Sequence, residues 1–263
     1  MQMSHALLQD RCIVVSGVGA GLGRKLALQC AQHGANVVLG ARSPGFLNDV
    51  ATEIAHAGGD AIAVPCDVTQ QHERRALIDG AVARFGRIDG LVNSAFRVTS
   101  GLFESADLDE WRQAMEVNCF GALHLIQLAL PHLRATRGCV VNISTIGTRV
   151  TNPAAGGYNM SKAALDQATR QLAGELGASG VRVNGALMGW MDGEPLRKNF
   201  DSRATLRGVT SEQLRKDLTD ALPLRRFATD DECAGAVIFL LSDLSAAMTG
   251  ALIHVNGGQF MQA

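Results

Sequence analysis

The chain has 263 residues and a formal net charge of −1, with 24 lysines and arginines against 25 acids. It therefore lacks the basic excess that nucleic acid or an anionic membrane would require of a main partner. Hydrophobic residues make up 47% with only 5% aromatics and 29 glycines, a mix that suits aliphatic parallel strands and tight turns. Six cysteines are scattered without a Cys-x-x-Cys pair, so they read as small buried hydrophobes in a reducing compartment.

No basic-then-apolar leader is seen, since Met1-Gln2-Met3-Ser4-His5 runs almost directly into the first strand signal. No apolar run reaches the about 20 residues of a membrane span, and a soluble cytoplasmic protein is expected. Short β-branched runs then alternate with longer amphipathic ones. They predict a strand at Cys12–Ser16, a helix near Leu22–His33, a strand at Asn36–Ala41, a helix near Gly45–Ala57 and a strand at Ala61–Pro65. Next come a helix near Gln70–Phe85, a strand at Ile88–Val92, a long helix Leu108–Leu133 and a strand at Gly138–Ser144. A helix Ala155–Ala178, a strand Val181–Leu187, a helix Asp230–Leu241 and a strand Leu252–Val255 complete the series. Ser43-Pro44 marks a cap followed by proline in the first turn, and Thr229-Asp230-Asp231-Glu232 has the pattern of a capping box.

This alternation predicts an α/β fold, one parallel sheet with helices on both faces. No repeat, low-complexity tract or linker divides the chain, so 1–263 reads as a single domain. Only 188–224, which is charged and contains Trp190, breaks the rhythm. A long insertion beyond a strand end is expected to be a substrate loop or lid.

Ser16-Gly17-Val18-Gly19-Ala20-Gly21-Leu22-Gly23 follows the first strand and opens the first helix. Glycines there let the backbone turn and let a diphosphate approach amides that a Cβ would shield. The partial positive charge of the helix start favours the anion. Gly17, Gly19, Gly21, Leu22 and Gly23 are therefore candidate nucleotide-binding residues.

Tyr158 is the only tyrosine, and Lys162 follows it by four residues in Tyr158-Asn159-Met160-Ser161-Lys162. Residues so spaced share a helix face. A cation beside a phenol stabilises phenolate and lowers its pKa from about 10, which makes an acid/base usable near neutral pH. The seven histidines show no metal-ligand spacing, no Gly-x-Ser-x-Gly elbow is present, and the chemistry calls for no metal.

The loop Gly17-x-x-x-Gly21-x-Gly23 combined with Tyr158-x-x-x-Lys162 resembles the short-chain dehydrogenase/reductase family. Asp67, Asn93-Ser94-Ala95, Asn118 and Val255-Asn256-Gly257-Gly258 fall in that family's order across essentially the whole chain. The resemblance implies a Rossmann-type doubly wound sheet of about seven strands, ordered 3-2-1-4-5-6-7. It also implies hydride transfer between a nicotinamide cofactor and a secondary alcohol or ketone. Tyr158 would be the general acid/base, Lys162 its electrostatic partner and a ribose ligand, and Asn118 the holder of a proton-relay water. Thr145 stands where the family usually has serine, preceded by Ser144. It is expected to polarise the substrate oxygen, with Ser144 pointing to the opposite face. Asn93, Ala95, Gly189 and Met191 are the implied contacts near the nicotinamide. Phe96 replaces the usual glycine, and Met188-Gly189 replaces the usual Pro-Gly. Phe96, Met188, Trp190, Met191, Leu196 and Phe200 point to a hydrophobic substrate, with Phe96, Met188 and Trp190 touching it beside Thr145 and Tyr158.

An acid ending the second strand would bind the adenosine ribose and select NAD. Ala41 stands there, with Arg42 next. Arginine can pair with a 2′-phosphate, so NADP(H) is favoured and NAD(H) is the alternative. Asp67 is expected to accept from the adenine amino group, with Val68 on its ring. Similar proteins form dimers or tetramers through the long fourth and fifth helices, and apolar Leu123, Leu125, Ile126, Leu128 and Leu130 fit such an interface. A non-catalytic NAD(P)-binding sensor or scaffold is the competing reading.

Overall fold

A computed structural model describes residues 6–261, so Met1–His5 lie outside it. Seven parallel strands form one sheet in the order β3-β2-β1-β4-β5-β6-β7. They are β1 Cys12–Ser16, β2 Asn36–Ala41, β3 Ala61–Pro65, β4 Gly90–Asn93, β5 Cys139–Thr145, β6 Arg182–Met188 and β7 Leu252–Val255. The helices are α1 Leu22–Gln32, α2 Pro44–His56, α3 Gln71–Phe85, α4 Leu108–Met115, α5 Gly121–Thr136, α6 Gly156–Leu176, α7 Glu194–Arg207, α8 Ser211–Asp220 and α9 Asp230–Leu241.

Alternate residues of each strand face opposite layers, which is why the central strands are apolar throughout. Ile13 and Val15 of β1 pack with Leu26 of α1, Leu47 of α2 and Val237 of α9. Cys12 and Val14 pack with Leu77 of α3, Leu125 and Leu133 of α5 and Leu176 of α6. Each such aliphatic side chain stabilises the fold by about 1.5–3 kcal/mol when fully buried. Buried amides also cross the sheet: Asn93 Nδ2 donates to Asn142 Oδ1, and Asn142 Nδ2 to Thr169 Oγ1, each at 2.9 Å. They fix β4, β5 and α6 relative to one another.

The chain winds outward from β1 to β3, then returns to place β4 on the other flank of β1. The strand ends part at that switch, where open α/β sheets bind ligands. There Ser94 N donates to Ser16 O at 2.8 Å, which brings the phosphate loop beside the segment after β4.

Three expectations need correction. The long fourth helix is divided: a π turn at Glu116–Phe120 separates α4 from α5. Ser43 sits at the α2 N-cap with Pro44 following, but its side chain makes no cap bond. The Thr229/Glu232 capping box forms as expected. The stretch 188–224 is not irregular: it carries α7 and α8 around a small core of Phe200, Ala204, Leu214, Leu222 and Phe227, which Trp190 and Leu196 flank. The side chain of Asp192 ties its base to Arg215 and Arg197.

Candidate active site

The candidate site lies along the carboxyl edge of the sheet, between the loop after β1 and the start of α6. Gly17 has φ +95, and a Cβ there would sit 2.2 Å from Ala95 N. Only glycine allows that approach. Gly19 is exposed, and a Cβ on it would meet nothing within 4 Å. Helix α1 then starts at Leu22 with no side-chain cap and no acid in its first turn. An uncapped helix start of this kind, with its positive end, fits a diphosphate. At the far end of this groove Ala41 ends β2 and Arg42 is exposed. Asp67 Oδ1 accepts from Thr69 N and Oγ1 at 2.9 and 2.7 Å. Burial pushes this carboxyl up, but the Thr69 donors and the charges of Arg42 and Arg74 outweigh it and hold it below the usual range. Val68 is nearly buried against Gly121, with 7% exposure. These residues fit a nicotinamide dinucleotide. Among the described residues no group of three or more His, Cys, Asp or Glu is placed to hold a metal.

Helix α6 is seated by its first two glycines, where a Cβ on Gly157 would fall 2.6 Å from Trp111 Cγ. Tyr158 N donates to Thr99 Oγ1 at 2.9 Å, tying the helix start to the segment after β4. The Tyr158 phenol and the Thr145 hydroxyl are hydrogen-bonded. Ser144 is 3% exposed, and its Oγ has no partner among the described residues. Thr145, not Ser144, meets the phenol, in the register expected of a pleated strand.

Lys162 is 2% exposed and its Nζ donates to Ile143 O at 2.8 Å. Burial pulls its pKa down to about 8, opposed by the negative charge of Asp166 and by Cys119. Tyr158 behaves opposite to expectation. Burial pushes its pKa up to about 12, the Thr145 hydrogen bond lowers it, and Asp166 raises it. Desolvation of the phenolate is the largest effect, and the spacing from Lys162 does not reverse it. At neutral pH the phenol therefore keeps its proton.

Asn118 lies in the π turn, 1% exposed. Its Oδ1 accepts from Arg97 N at 2.7 Å, and its Nδ2 donates to Arg97 O and Ser161 Oγ, both at 2.8 Å. The side chain clamps the segment after β4 onto α6, using both amide donors and one lone pair of Oδ1. A π turn widens the helix ladder and is a common device at functional sites.

The other expected residues divide. Asn93 is buried in the amide ladder, and Ala95 lies against the phosphate loop. Gly189 N donates to Val255 O at 3.0 Å, and Met191 bridges to Ala228. Phe96 is 59% exposed on the strap after β4 and is free to meet a ligand. Met188 is 3% exposed within the main core, and Phe200 is 5% exposed within the small core formed by α7 and α8. Both are turned inward, Met188 by β6 and Phe200 by α7, into packed cores. Trp190 is half-buried against Phe227. Thr99, Trp111, Thr148 and Ser161 were missed. Only Ser161, one residue before Lys162, carried any signal in the motif.

The family model described as Enoyl-(Acyl carrier protein) reductase matches residues 17–259. A 3-oxoacyl-[acyl-carrier-protein] reductase of Staphylococcus aureus is 33% identical over 250 residues, which is 94% of this chain and 97% of the relative. The 7alpha-hydroxysteroid dehydrogenase of Escherichia coli is 31% identical over 252 residues, 95% of this chain and 94% of the relative. A solved 7 alpha-hydroxysteroid dehydrogenase complexed with NADH and 7-oxo glycochenodeoxycholic acid superposes with a TM-score of 0.89 at 29% identity. It covers 100% of this chain and 99% of that one. These relatives are enzymes, and nothing among them favours a sensor or scaffold. The chain belongs to the short-chain dehydrogenase/reductase family and is an oxidoreductase that exchanges hydride between a nicotinamide cofactor and an alcohol or carbonyl group.

Proposed function

We propose that the protein is an NADP(H)-dependent reductase of apolar ketones, with Tyr158 as proton donor. The observation that carries this reading is the hydrogen bond between Thr145 and a phenol that burial keeps protonated. When bound, the reduced cofactor would supply hydride to the carbonyl carbon. Thr145 holds the carbonyl oxygen, and Tyr158 gives it a proton as charge develops there. Lys162, charged below about pH 8, offsets the negative charge left on the phenol and offers donors to ribose hydroxyls. Asn118 keeps the strap after β4 in place.

NADP(H) is supported by the missing acid at Ala41 and the exposed guanidinium of Arg42, which can pair with a 2′-phosphate. An apolar substrate is supported by Phe96 and Val98, 59% and 61% exposed on the strap tied to Tyr158 through Thr99. The same reading takes the protein as a cytoplasmic homodimer or homotetramer. Leu125 and Ile126 are spent in the core, so the support for assembly is instead Leu108, Phe120 and Met160, which remain exposed on and beside α4, α5 and α6. Light scattering tests that point.

The reaction is tested by following nicotinamide absorbance with both cofactors across a panel of ketones and alcohols. Turnover of apolar ketones with NADPH is expected. Tight cofactor binding without turnover of any member contradicts the proposal.

A further inference from the structure

Asp166 follows Lys162 by four residues and Tyr158 by eight, so phenol, ammonium and carboxylate lie along one face of α6. Asp166 is 1% exposed, and a carboxylate so deeply buried is costly unless held. Its holders come from the turn after β5. Thr148 Oγ1 donates to Asp166 Oδ2 at 2.8 Å, and Arg149 brings Nη2 to 3.4 Å of the same oxygen. Oδ1 is buried with no hydrogen-bond partner among the described residues. The Thr148 hydroxyl also lies 3.0 Å from the Thr145 carbonyl oxygen. Thr145 in turn caps that turn, its Oγ1 accepting from Gly147 N at 3.1 Å. One carboxylate therefore meets both the turn that carries Thr145 and the helix face that carries Tyr158 and Lys162.

We infer that Asp166 is a positioning residue for the proton transfer, supplying a fixed negative charge behind the Tyr158/Lys162 pair and bracing, through Thr148, the turn that aims Thr145. The inference rests on the reaction proposed above. The charged and titratable groups around it are Lys162 and Tyr158 on α6 and Arg149 on the turn after β5, while Cys119 of the π turn faces Lys162. The nearby β5 amide Asn142 and the α6 hydroxyl Thr169 are neutral and paired with each other. Behind the pair, the carboxylate opposes the loss of the Lys162 proton and adds to the retention of the Tyr158 proton. Both effects suit a site that donates a proton while remaining cationic beside it.

Because Tyr158 is the only tyrosine, the ultraviolet band of phenolate reads its ionisation without turnover. The whole protein is titrated with circular dichroism on the same samples, and the pH profile of ketone reduction is recorded in parallel. Asp166→Asn is expected to lower the Tyr158 midpoint by about one pH unit, and the alkaline limb of the activity profile should move the same way. Arg149→Met is expected to raise the midpoint, because it unmasks the carboxylate. Asp166→Glu should return the midpoint towards the parent value. Opposite signs for the first two variants cannot come from general loosening of the fold. Midpoints that stay put, or move in the same direction, in folded samples overturn the inference. Should Asp166→Asn fail to fold, the direction for Arg149→Met decides alone. A parent inactive across the ketone panel overturns the reaction, whereas unmoved midpoints in an active enzyme overturn the role of Asp166 only.

Discussion

The ammonium of Lys162 donates to the carbonyl oxygen of Ile143, 2.8 Å away on the strand that ends two residues later at Thr145. The lysine is therefore bonded to the strand that carries the hydroxyl partner of Tyr158. Helix and strand are locked by a charged group that burial penalises and a backbone acceptor stabilises.

That penalty has a pH signature. A lysine pulled from 10.5 to about 8 by burial holds its proton less tightly folded than unfolded. Between those values the unfolded state binds more protons, so stability gained from this group rises with pH. Lys162→Met removes the titration and leaves the cysteines common to both chains. From about pH 7 to about pH 10.5 the stability difference should move in favour of the parent by on the order of 3 kcal/mol. Thermal denaturation of both across that range checks it, and a pH-independent difference contradicts the buried cation.

Gly17 and Gly19 should separate fold from cofactor. Gly17→Ala places a methyl 2.2 Å from Ala95 N in a backbone with φ +95, and a loss of more than about 2 kcal/mol is expected. Gly19→Ala meets no protein atom within 4 Å, so its melting temperature should match the parent. Its methyl enters the space assigned to the diphosphate, and NADPH binding by calorimetry should weaken about tenfold. Unchanged NADPH affinity in Gly19→Ala moves the cofactor elsewhere.

Much of this arrangement is visible in the chain alone, and what is not has physical causes. The limits of β1, β2, β3, β7 and α9 coincide with the periodicity, and in β1, β3 and α9 a glycine, a proline or a capping box marks an end. Strands β5 and β6 are each shifted one residue along from the expected bounds, to Cys139–Thr145 and Arg182–Met188. Their ends are set by pairing with each other, Thr145 against Met188, not by side-chain preference. Helices α7 and α8 were hidden because their charged sequences bury few residues. Phe200 and Ala204 find partners in Leu214 and Phe227, across turns that local spacing does not report. The residue types of the site were legible, with Tyr158, Lys162, Asn118 and Thr145 all placed at one edge. The protonation of Tyr158 was not, since desolvation depends on the packing of α6 against β5 and the strap after β4.

On the proposed reading Thr145 is the hydroxyl that holds the substrate oxygen. Thr145→Val keeps the branched shape but loses the hydrogen bond to Tyr158, and kcat for ketone reduction should fall by about tenfold or more. Ser144→Ala removes a buried hydroxyl with no partner among the described residues and should leave kcat near the parent value. The reverse outcome assigns the role to Ser144.

Arg42 is the group that should distinguish the cofactors. Arg42→Ala is expected to reduce kcat/KM for NADPH by about tenfold to a hundredfold, the worth of a charge-assisted contact, and to leave NADH nearly unchanged. Equal losses with both cofactors contradict a 2′-phosphate contact.

The most direct measurement is single-turnover reduction of an apolar ketone by Tyr158→Phe with NADPH in saturating amount. A rate lower by about 10²–10⁴ with unchanged NADPH affinity is expected if the phenol donates the proton. A phenylalanine variant that reduces the ketone as fast as the parent contradicts that assignment.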